Sequence, residues 1–376
     1  MFKKGNTFIV NFGFVIILLF TLFYVLYIGA NLIIPFIIAL LFSFAIIGLS
    51  NFYKKLRIPS FLSFTFSLLT YIGVFWLIGK LFGTNIDELV KGLPLYQARI
   101  LEIYSSVFDF FGIDAPASFT EVLNEINLQY VFTLVIGGFT SIFSKTGIIL
   151  FYVLFILLEY RYFKNKLYLM IVNNAQRVHI IETLEKIKAD VKSYFVIKTI
   201  VSFLTAVFSY IIMIAFKLDF AIFWSMLVFI LNFIPNIGSI IAVLFPSLLS
   251  LVQPGFTPYD SVFMISGLTG IQVLMGNIIE PRFMGNRLNL SPLVIIISLG
   301  FWGTLWGVVG MLLSVPIMVI INIILGKIPV TRPIAILLSE KGDLQIDDSD
   351  EVANNRKKII KSFKEKFGKI KTKSKK

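Results

Sequence analysis

The chain has 376 residues, of which 57% are hydrophobic and only 15% are charged, and its formal net charge is +13. Soluble domains carry roughly 25% charged residues, so the composition excludes a soluble protein and predicts an all-α integral membrane protein. The sequence has no cysteine and one histidine, which excludes disulfides, thiolate-bound metal and a histidine metal cluster. It also lacks a nucleophile elbow, a phosphate-binding loop and a zincin motif. We therefore expect no cofactor and no enzyme.

The first predicted unit, residues 1–82, holds three membrane-spanning helices. Residues 5–53 contain no charge, which is enough for two crossings, and a further uncharged segment follows a short basic loop. Gly29, Asn31 and Pro35 mark the turn between the first two helices. The predicted spans are 8–27, 32–51 and 58–79.

Four further units follow in chain order. Residues 83–140 are acidic with apolar residues at helical spacing, and we expect an extracytoplasmic helical subdomain. Residues 141–194 predict a fourth span and a basic cytoplasmic loop, and residues 195–326 form the transport core. The tail, 327–376, is acidic and then basic, and its basic block has an apolar helical face. This block predicts binding to anionic lipids, with a disordered tail as the alternative, and we expect no nucleic-acid partner.

Two long uncharged runs, 220–259 and 288–326, organise the core. Each is about twice the roughly 20 residues that one crossing needs, and each has proline or glycine near its middle. Irregular backbone at membrane depth is tolerated only where it is buried in protein or lines a wet cavity. The runs therefore predict two broken or re-entrant hairpins, although two full spanning helices per run is the alternative.

The distribution of basic loops predicts the topology. With the N-terminus in the cytoplasm, every basic loop and the basic tail also lie there, as the positive-inside rule requires. Span 195–216 then runs outward into the first uncharged run, and span 261–279 runs inward into the second. The two units form an inverted repeat within about seven to eight transmembrane helices. Such repeats support alternating access in transporters.

Polar or flexible residues at the first break and on span 261–279 are the candidates for the transport path. Amide groups offer neutral donors and acceptors, which suit a small polar solute. The alternative is a proline-kinked helix with a structural amide network. The candidates are Asn232, Pro235, Asn236, Gly238, Gln272 and Asn277.

A second set of residues is predicted to serve coupling or gating. Glu280 is a carboxylate at the membrane edge, which suggests function, and the alternative is a structural ion pair with an arginine. The glycines permit either bending or close helix packing. Ser291 and Pro292 are typical of a helix start, with the serine as cap. The coupling or gating set is Glu280, Pro281, Arg282, Gly285, Gly303, Gly307, Gly310 and Pro316.

Three strings of the sequence carry a resemblance to a known family. They are IPFIIALLF (34–42), FILNFIPNIGSIIAVLFPSLLSL (229–251) and GNIIEPRFMGNRLNLSPLVIIISLGFWGTLWGVVGMLLSVPI (276–317). These strings resemble the autoinducer-2 exporter-like family of bacterial and archaeal membrane transporters, over nearly the whole chain. The resemblance implies a multi-span inner-membrane transporter that moves small molecules without ATP and forms homo-oligomers.

The resemblance also implies a substrate class and site positions. The family's name suggests autoinducer-2, a small polyol, while other members are described as cation/proton antiporters. The proline–glycine tip of the family corresponds to Pro235 and Gly238. Its Glu-Pro-Arg motif corresponds to residues 280–282 and its glycines to Gly285, Gly307 and Gly310. We thus expect a secondary exporter of a small polar solute in the lipid bilayer; an antiporter, or a channel or non-transporting scaffold, are the alternatives.

Overall fold

The computed structural model describes residues 3–111, 144–171, 174–285 and 289–342. Across these ranges the regular structure is helical and no strand occurs, which confirms the predicted all-α fold. Within the described residues, five helices are long and apolar enough to cross a membrane, and four shorter apolar helices accompany them. Residues 112–140, the second half of the predicted acidic subdomain, and the tail from residue 343 onward lie outside the described residues.

The N-terminal helices form a small bundle of their own. Helix α2 packs against α3 and α4, and its buried contacts with α4 include Ala39, Ile46, Ile149 and Val153. Gly29 forms the predicted turn, but Pro35 lies inside α2, so the turn is tighter than the sequence suggested. The helices are α1 (Lys3–Ile28), α2 (Ala30–Lys55), α3 (Ser60–Phe110) and α4 (Thr146–Met170).

Two helices continue well beyond the membrane-spanning part of their sequence. Helix α3 has 51 residues, which at about 1.5 Å per residue is roughly 76 Å, more than twice the thickness of the hydrocarbon layer. Helix α5 (Asn174–Ala215) likewise combines part of the predicted basic loop and the predicted fifth span. The predicted unit boundaries at 82/83 and 194/195 therefore fall inside continuous helices.

The first hairpin consists of α6 (Ala221–Leu231) and α7 (Ile237–Val252). Its limbs have 11 and 16 residues, and each is shorter than the roughly 20 residues of a full crossing. The limbs pack face to face, since the rings of Trp224 and Phe245 stack with centroids 6.1 Å apart.

The second hairpin is α10 (Pro292–Lys327), which breaks at Gly307. Gly307 has φ 62° and ψ −145°, a conformation that is essentially confined to glycine. Beyond Gly307 the chain folds back on itself. The hydroxyl of Ser298 on the first limb donates to the carbonyl of Ser314 on the second, at 3.4 Å. A break in the middle of each uncharged run is thus confirmed.

Helices α5 and α8 (Pro258–Val273) lie side by side and run in opposite directions. Ile212 near the end of α5 contacts Gly267 within α8, whereas Lys198 earlier in α5 contacts Glu280 beyond the end of α8. Helix α8 continues through a π-helical turn (Leu274–Ile279) into the short α9 (Glu280–Met284). This antiparallel pair contacts both hairpins.

The two hairpins open at opposite ends of the α5–α8 pair. The open end of the first hairpin lies at the start of α8, where the Ser261 hydroxyl donates to the carbonyl of Ser250. The open end of the second lies at the other end, where Leu290 and Val319 cluster with Met284 and with Tyr194 of α5. This arrangement is the inverted one that the basic loops predicted.

The start of the second hairpin differs from the prediction in one detail. Pro292 occupies the first helical position as expected, but the Ser291 side chain makes no capping hydrogen bond. Its backbone amide donates instead to the carbonyl of Leu338, at the end of α11 (Arg332–Leu338). Helix α11 packs on α10, and so ties the C-terminal part of the described chain to the hairpin base.

Candidate functional site

A buried polar network joins the end of the first hairpin's first limb to the central helices. The amide nitrogen of Asn232 donates to the Ser202 hydroxyl at 3.0 Å, and the amide nitrogen of Gln272 donates to the Asn232 carbonyl oxygen at 3.1 Å. All three side chains are buried. The structure therefore brings together two predicted path residues, Asn232 and Gln272, and adds Ser202 of α5, which the sequence analysis missed.

The remaining tip residues face different surroundings. Asn236 is exposed with φ 59° and ψ −59°, a strained backbone for a non-glycine residue. Pro235 is half-buried and Gly238 is buried. A Cβ on Gly238 would lie 1.8 Å from the carbonyl oxygen of Leu231 on the opposite limb. The glycine therefore permits the two limbs to meet directly behind the tip.

The second hairpin repeats this contact. A Cβ on Gly310 would lie 1.9 Å from the carbonyl oxygen of Trp302 on the opposite limb. Gly303 is also closely packed, since its Cβ would lie 2.9 Å from Met311. Within this hairpin, the packing interpretation thus describes Gly303 and Gly310, whereas the bending interpretation describes Gly307. Pro316 is buried inside the second limb.

A buried ion pair lies one turn of α5 before the polar network. The Lys198 ammonium nitrogen is 2.5 Å from a carboxylate oxygen of Glu280, and the Lys198 side chain is only 4% exposed. The arginine partner considered for Glu280 is not the one the structure shows, because Arg282 is exposed and Lys198 takes that place. Pairing lowers the cost of burying these two charges, since an isolated charge inside a membrane protein is expensive.

Lys198 belongs to a polar stripe along α5. Positions 198, 202, 205 and 209 recur at helical spacing and all are buried. The stripe faces Glu280 and Asn232. A single cation within the predicted span 195–216 was the sequence signal that could have identified it, because charges inside a span are functional hypotheses by default.

The π-helical turn separates the network from the ion pair along α8 and α9. Asn277 lies within this turn and is exposed, so it does not join Gln272 in the network. Pro281 and Arg282 form the exposed start of α9, and Gly285 ends it with φ 53°. π-Helical turns are rare and are frequently found at functional sites.

The turn that precedes the first hairpin is held by helix α3. The Tyr96 hydroxyl donates to the Asp219 carboxylate at 2.8 Å. Burial, followed by this hydrogen bond and the charge of Asp219, raises the pKa of Tyr96, so the phenol stays protonated as the donor. The Gln253 side chain accepts from the Asp219 amide and donates to the carbonyl of Lys217, which closes the hairpin base.

Among the described residues, no cluster of three or more histidine, cysteine, aspartate or glutamate side chains could hold a metal ion. The polar groups of the core are instead neutral amides and hydroxyls beside one ion pair. Such groups suit hydrogen bonding to a small polar solute or the movement of a proton.

Comparisons with known proteins agree with this geometry. The model of the AI-2E family transporter matches residues 14–329. The chain is 33% identical to the AI-2 transport protein TqsA of Escherichia coli K12, over 83% of this chain and 90% of the relative. It is 31% identical to a putative transport protein of Haemophilus influenzae, over 84% and 92%. It is also 30% identical to one of Borreliella burgdorferi, over 81% and 83%.

These matches cover both hairpins, the central helix pair and the N-terminal helices. They indicate a transport role rather than catalysis, and a multi-pass inner-membrane protein. The predicted family resemblance is confirmed, and the chain belongs to the AI-2E family of transporters.

Proposed function

We propose that this chain is a secondary transporter that exports a small polar solute by alternating access of its two hairpins. The observation that carries the proposal is the position of the hairpins. They open at opposite ends of the α5–α8 pair, and the first of them ends in a buried amide network. Inverted repeats with broken segments place substrate sites near the middle of the membrane.

The chemistry of the first tip supports a neutral polar solute. Ser202, Asn232 and Gln272 carry no charge and together offer several donors and acceptors. Buried polar groups favour a ligand that replaces their hydrogen bonds and disfavour one that leaves them unpaired. A small polyol meets this requirement. TqsA is named as an AI-2 transport protein, so autoinducer-2 is the first solute to test.

The proposal is tested by flux into and out of sealed proteoliposomes, with and without imposed proton and sodium gradients. Pro235→Ala relaxes the tip, and we expect it to lower solute flux at least tenfold while the protein still inserts and folds. Pro254→Ala, in the exposed loop after the first hairpin, is the matched control and should transport normally. Normal flux through Pro235→Ala would remove the tip from the mechanism, and gradient-independent flux would favour a channel.

A cation/proton antiporter is the second candidate, and the buried Lys198–Glu280 pair favours it. The Glu280 carboxylate could take up a proton in place of its contact with the Lys198 ammonium. We expect the double variant Lys198→Met with Glu280→Gln, which leaves neither charge alone, to abolish pH-dependent ion movement. Ion movement with an unchanged pH dependence would exclude coupling through this pair, whereas solute flux that persists would retain the exporter.

Topology and partners complete the proposal. We place both termini in the cytoplasm, the basic tail on anionic lipids, and the chain in a homo-oligomer. Because the sequence has no cysteine, single cysteines introduced at exposed Leu56 and Tyr259 report the side of the membrane by labelling with an impermeant reagent. We expect Tyr259 to be labelled from outside and Leu56 only from inside. The reverse pattern would invert the topology.

A further inference from the structure

The π-helical turn between Gln272 and Glu280 determines which way Glu280 faces. An α-helix rotates by about 100° per residue, so positions 272 and 280 would lie about 80° apart around a regular helix. A π-helical turn accommodates about one extra residue, because its hydrogen bonds reach five residues back and not four. The separation around the axis then falls to about 20°. The turn thus places Gln272 and Glu280 on the same face, toward the first hairpin and α5.

The local sequence explains why the turn forms here. Pro281 has no backbone N–H, so it cannot bond to the carbonyl of Asn277 four residues earlier, and in the α-helical register its ring presses on that carbonyl and kinks the helix. Gly276 lowers the helical propensity of the same segment. The Glu280 amide donates to the carbonyl of Met275, five residues back. The hydrogen bond at the end of the turn therefore belongs to the residue whose side chain pairs with Lys198.

Helix α9 beyond the turn is a short unit between two irregular backbone segments. It contains only five residues, Glu280–Met284, and it ends at Gly285 with φ 53°. The π-helical turn lies before it and a left-handed glycine after it, so both of its ends can absorb a change in backbone angles. Helix α8, before the turn, is held to α5 by the contact of Gly267 with Ile212.

We propose that the π-helical turn is a register switch. Its return to α-helical hydrogen bonding rotates Glu280 by about 100° away from Lys198, while Gln272 stays at the first hairpin. Lys198 is then a positioning residue that holds Glu280 in one of the two registers. The inference rests on the transport function proposed above, since the switch would link the ion pair to the hairpin tip during the cycle.

Removal of Gly276 tests the switch directly. With one residue fewer, a regular α-helix places Gln272 and Glu280 about 20° apart, as the π-helical turn does now. The variant therefore keeps the ion pair and has no second register. We expect it to insert and fold, and to transport at least tenfold more slowly than the parent. Flux within twofold of the parent would overturn the proposal.

A distance measurement decides the same question without any flux. Pairs of spin labels are attached to cysteines that replace exposed Ile214 and Phe283, since the chain has no cysteine of its own. We expect two distances in the parent and one in the Gly276 deletion variant. The control pair, Ile214 with exposed Val273 immediately before the turn, should give one distance in both proteins. A single distance for the Phe283 pair in the parent would refute the switch.

A second variant keeps the chain length unchanged. A Cβ added at Gly276 meets no atom within 4 Å, and alanine favours the α-helix. We expect Gly276→Ala to increase the population of the second distance in the Phe283 pair, and unchanged populations would count against the switch. If the parent moves no solute at all, the proposed function fails, while the label distances still decide whether the switch exists.

Discussion

The two hairpins share one contact and differ in how the rest of the protein holds them. Each has a glycine behind its tip that touches the opposite limb, at Gly238 and Gly310. The first hairpin is fixed at its open end, where α3 and Gln253 hold the turn before it. The second is fixed near its break, where the Trp306 indole donates to the carbonyl of Leu26 at 3.0 Å.

This difference suggests a division of roles. The first tip is polar, and its bonds go to the central helices that also hold the ion pair. The second tip is aromatic, with Trp302 and Trp306 in contact, and it is attached to α1. The first tip is thus joined to the helices that carry the ion pair, whereas the second tip is joined to α1. We therefore expect changes at the ion pair to reach the first tip before the second.

The largest effect should come from removal of the shared contact. Gly238→Ala and Gly310→Ala each place a Cβ within 2 Å of a carbonyl oxygen, so the limbs must separate, at a cost of about 3 kcal/mol or more. Thermal unfolding in detergent should show a large loss of stability for both variants. Gly300→Ala, whose Cβ meets no atom within 4 Å, is the control. A small effect at Gly310 with a large one at Gly238 would break the equivalence of the hairpins.

Loss of the polar network should follow in size. Asn232→Leu leaves the Ser202 hydroxyl and the Gln272 amide without their partner, and we expect a loss of about 1–2 kcal/mol, since hydrogen bonds inside membrane proteins contribute roughly 1 kcal/mol or less each. We expect the variant to lose a larger fraction of the parent's solute flux than of the parent's stability. Asn322→Leu, a buried amide near the base of the second hairpin, is the matched control and should affect stability more than flux. Equal flux loss in both would argue against a special role for the first tip.

Loss of the hydrogen bond between Trp306 and Leu26 at the second tip should lower the free energy of unfolding by about 1 kcal/mol. Trp306→Phe removes the indole donor and leaves the Leu26 carbonyl, in the last turn of α1, without that bond. We expect the tip to loosen and hydrogen exchange near Gly307 to accelerate. Phe301→Leu, next to α1 through the ring of Phe23, keeps the indole bond and should change exchange less. Unchanged exchange in Trp306→Phe would show that α1 does not restrain this hairpin.

The smallest effect should come from the base of the first hairpin. Tyr96→Phe removes the hydrogen bond to Asp219 while the ring still packs on Phe220, and we expect a loss of about 1 kcal/mol or less. The raised pKa of Tyr96 means that it does not titrate at physiological pH, so the effect should be independent of pH between about 6 and 9. A pH-dependent effect would point to a different donor for Asp219.

The breaks and the inverted arrangement could be predicted because proline, glycine and charge act locally. Pro235 and Gly307 lie where the chain turns back, and the alternation of the basic loops predicted that the two units are inverted. The partner of Glu280 could not be found in this way, since Lys198 lies 82 residues away on an antiparallel helix. The π-helical turn was also missed, because its hydrogen bonds differ from those of an α-helix by only one residue.

The lengths of α3 and α5 were underestimated for a related reason. Apolar residues at helical spacing continue past the uncharged segment, so a change in composition marks the membrane edge and not the helix end. Pro94 lies inside α3 without ending it. The contacts of Gly303 and Gly310 with the opposite limb could not be predicted either, because they depend on how the limbs fold back.

The length of α3 makes the first hairpin sensitive to lipid thickness. Tyr96 lies 11 residues beyond the apolar segment Ser60–Asn85 of α3, or about 16 Å along the axis. Spanning helices tilt when the bilayer is thinner than their apolar stretch, and a tilt of about 10° would displace a residue at that distance by roughly 3 Å. Such a displacement is enough to break the hydrogen bond between Tyr96 and Asp219. A thin bilayer should therefore release the base of the hairpin, and a thick bilayer should keep it closed.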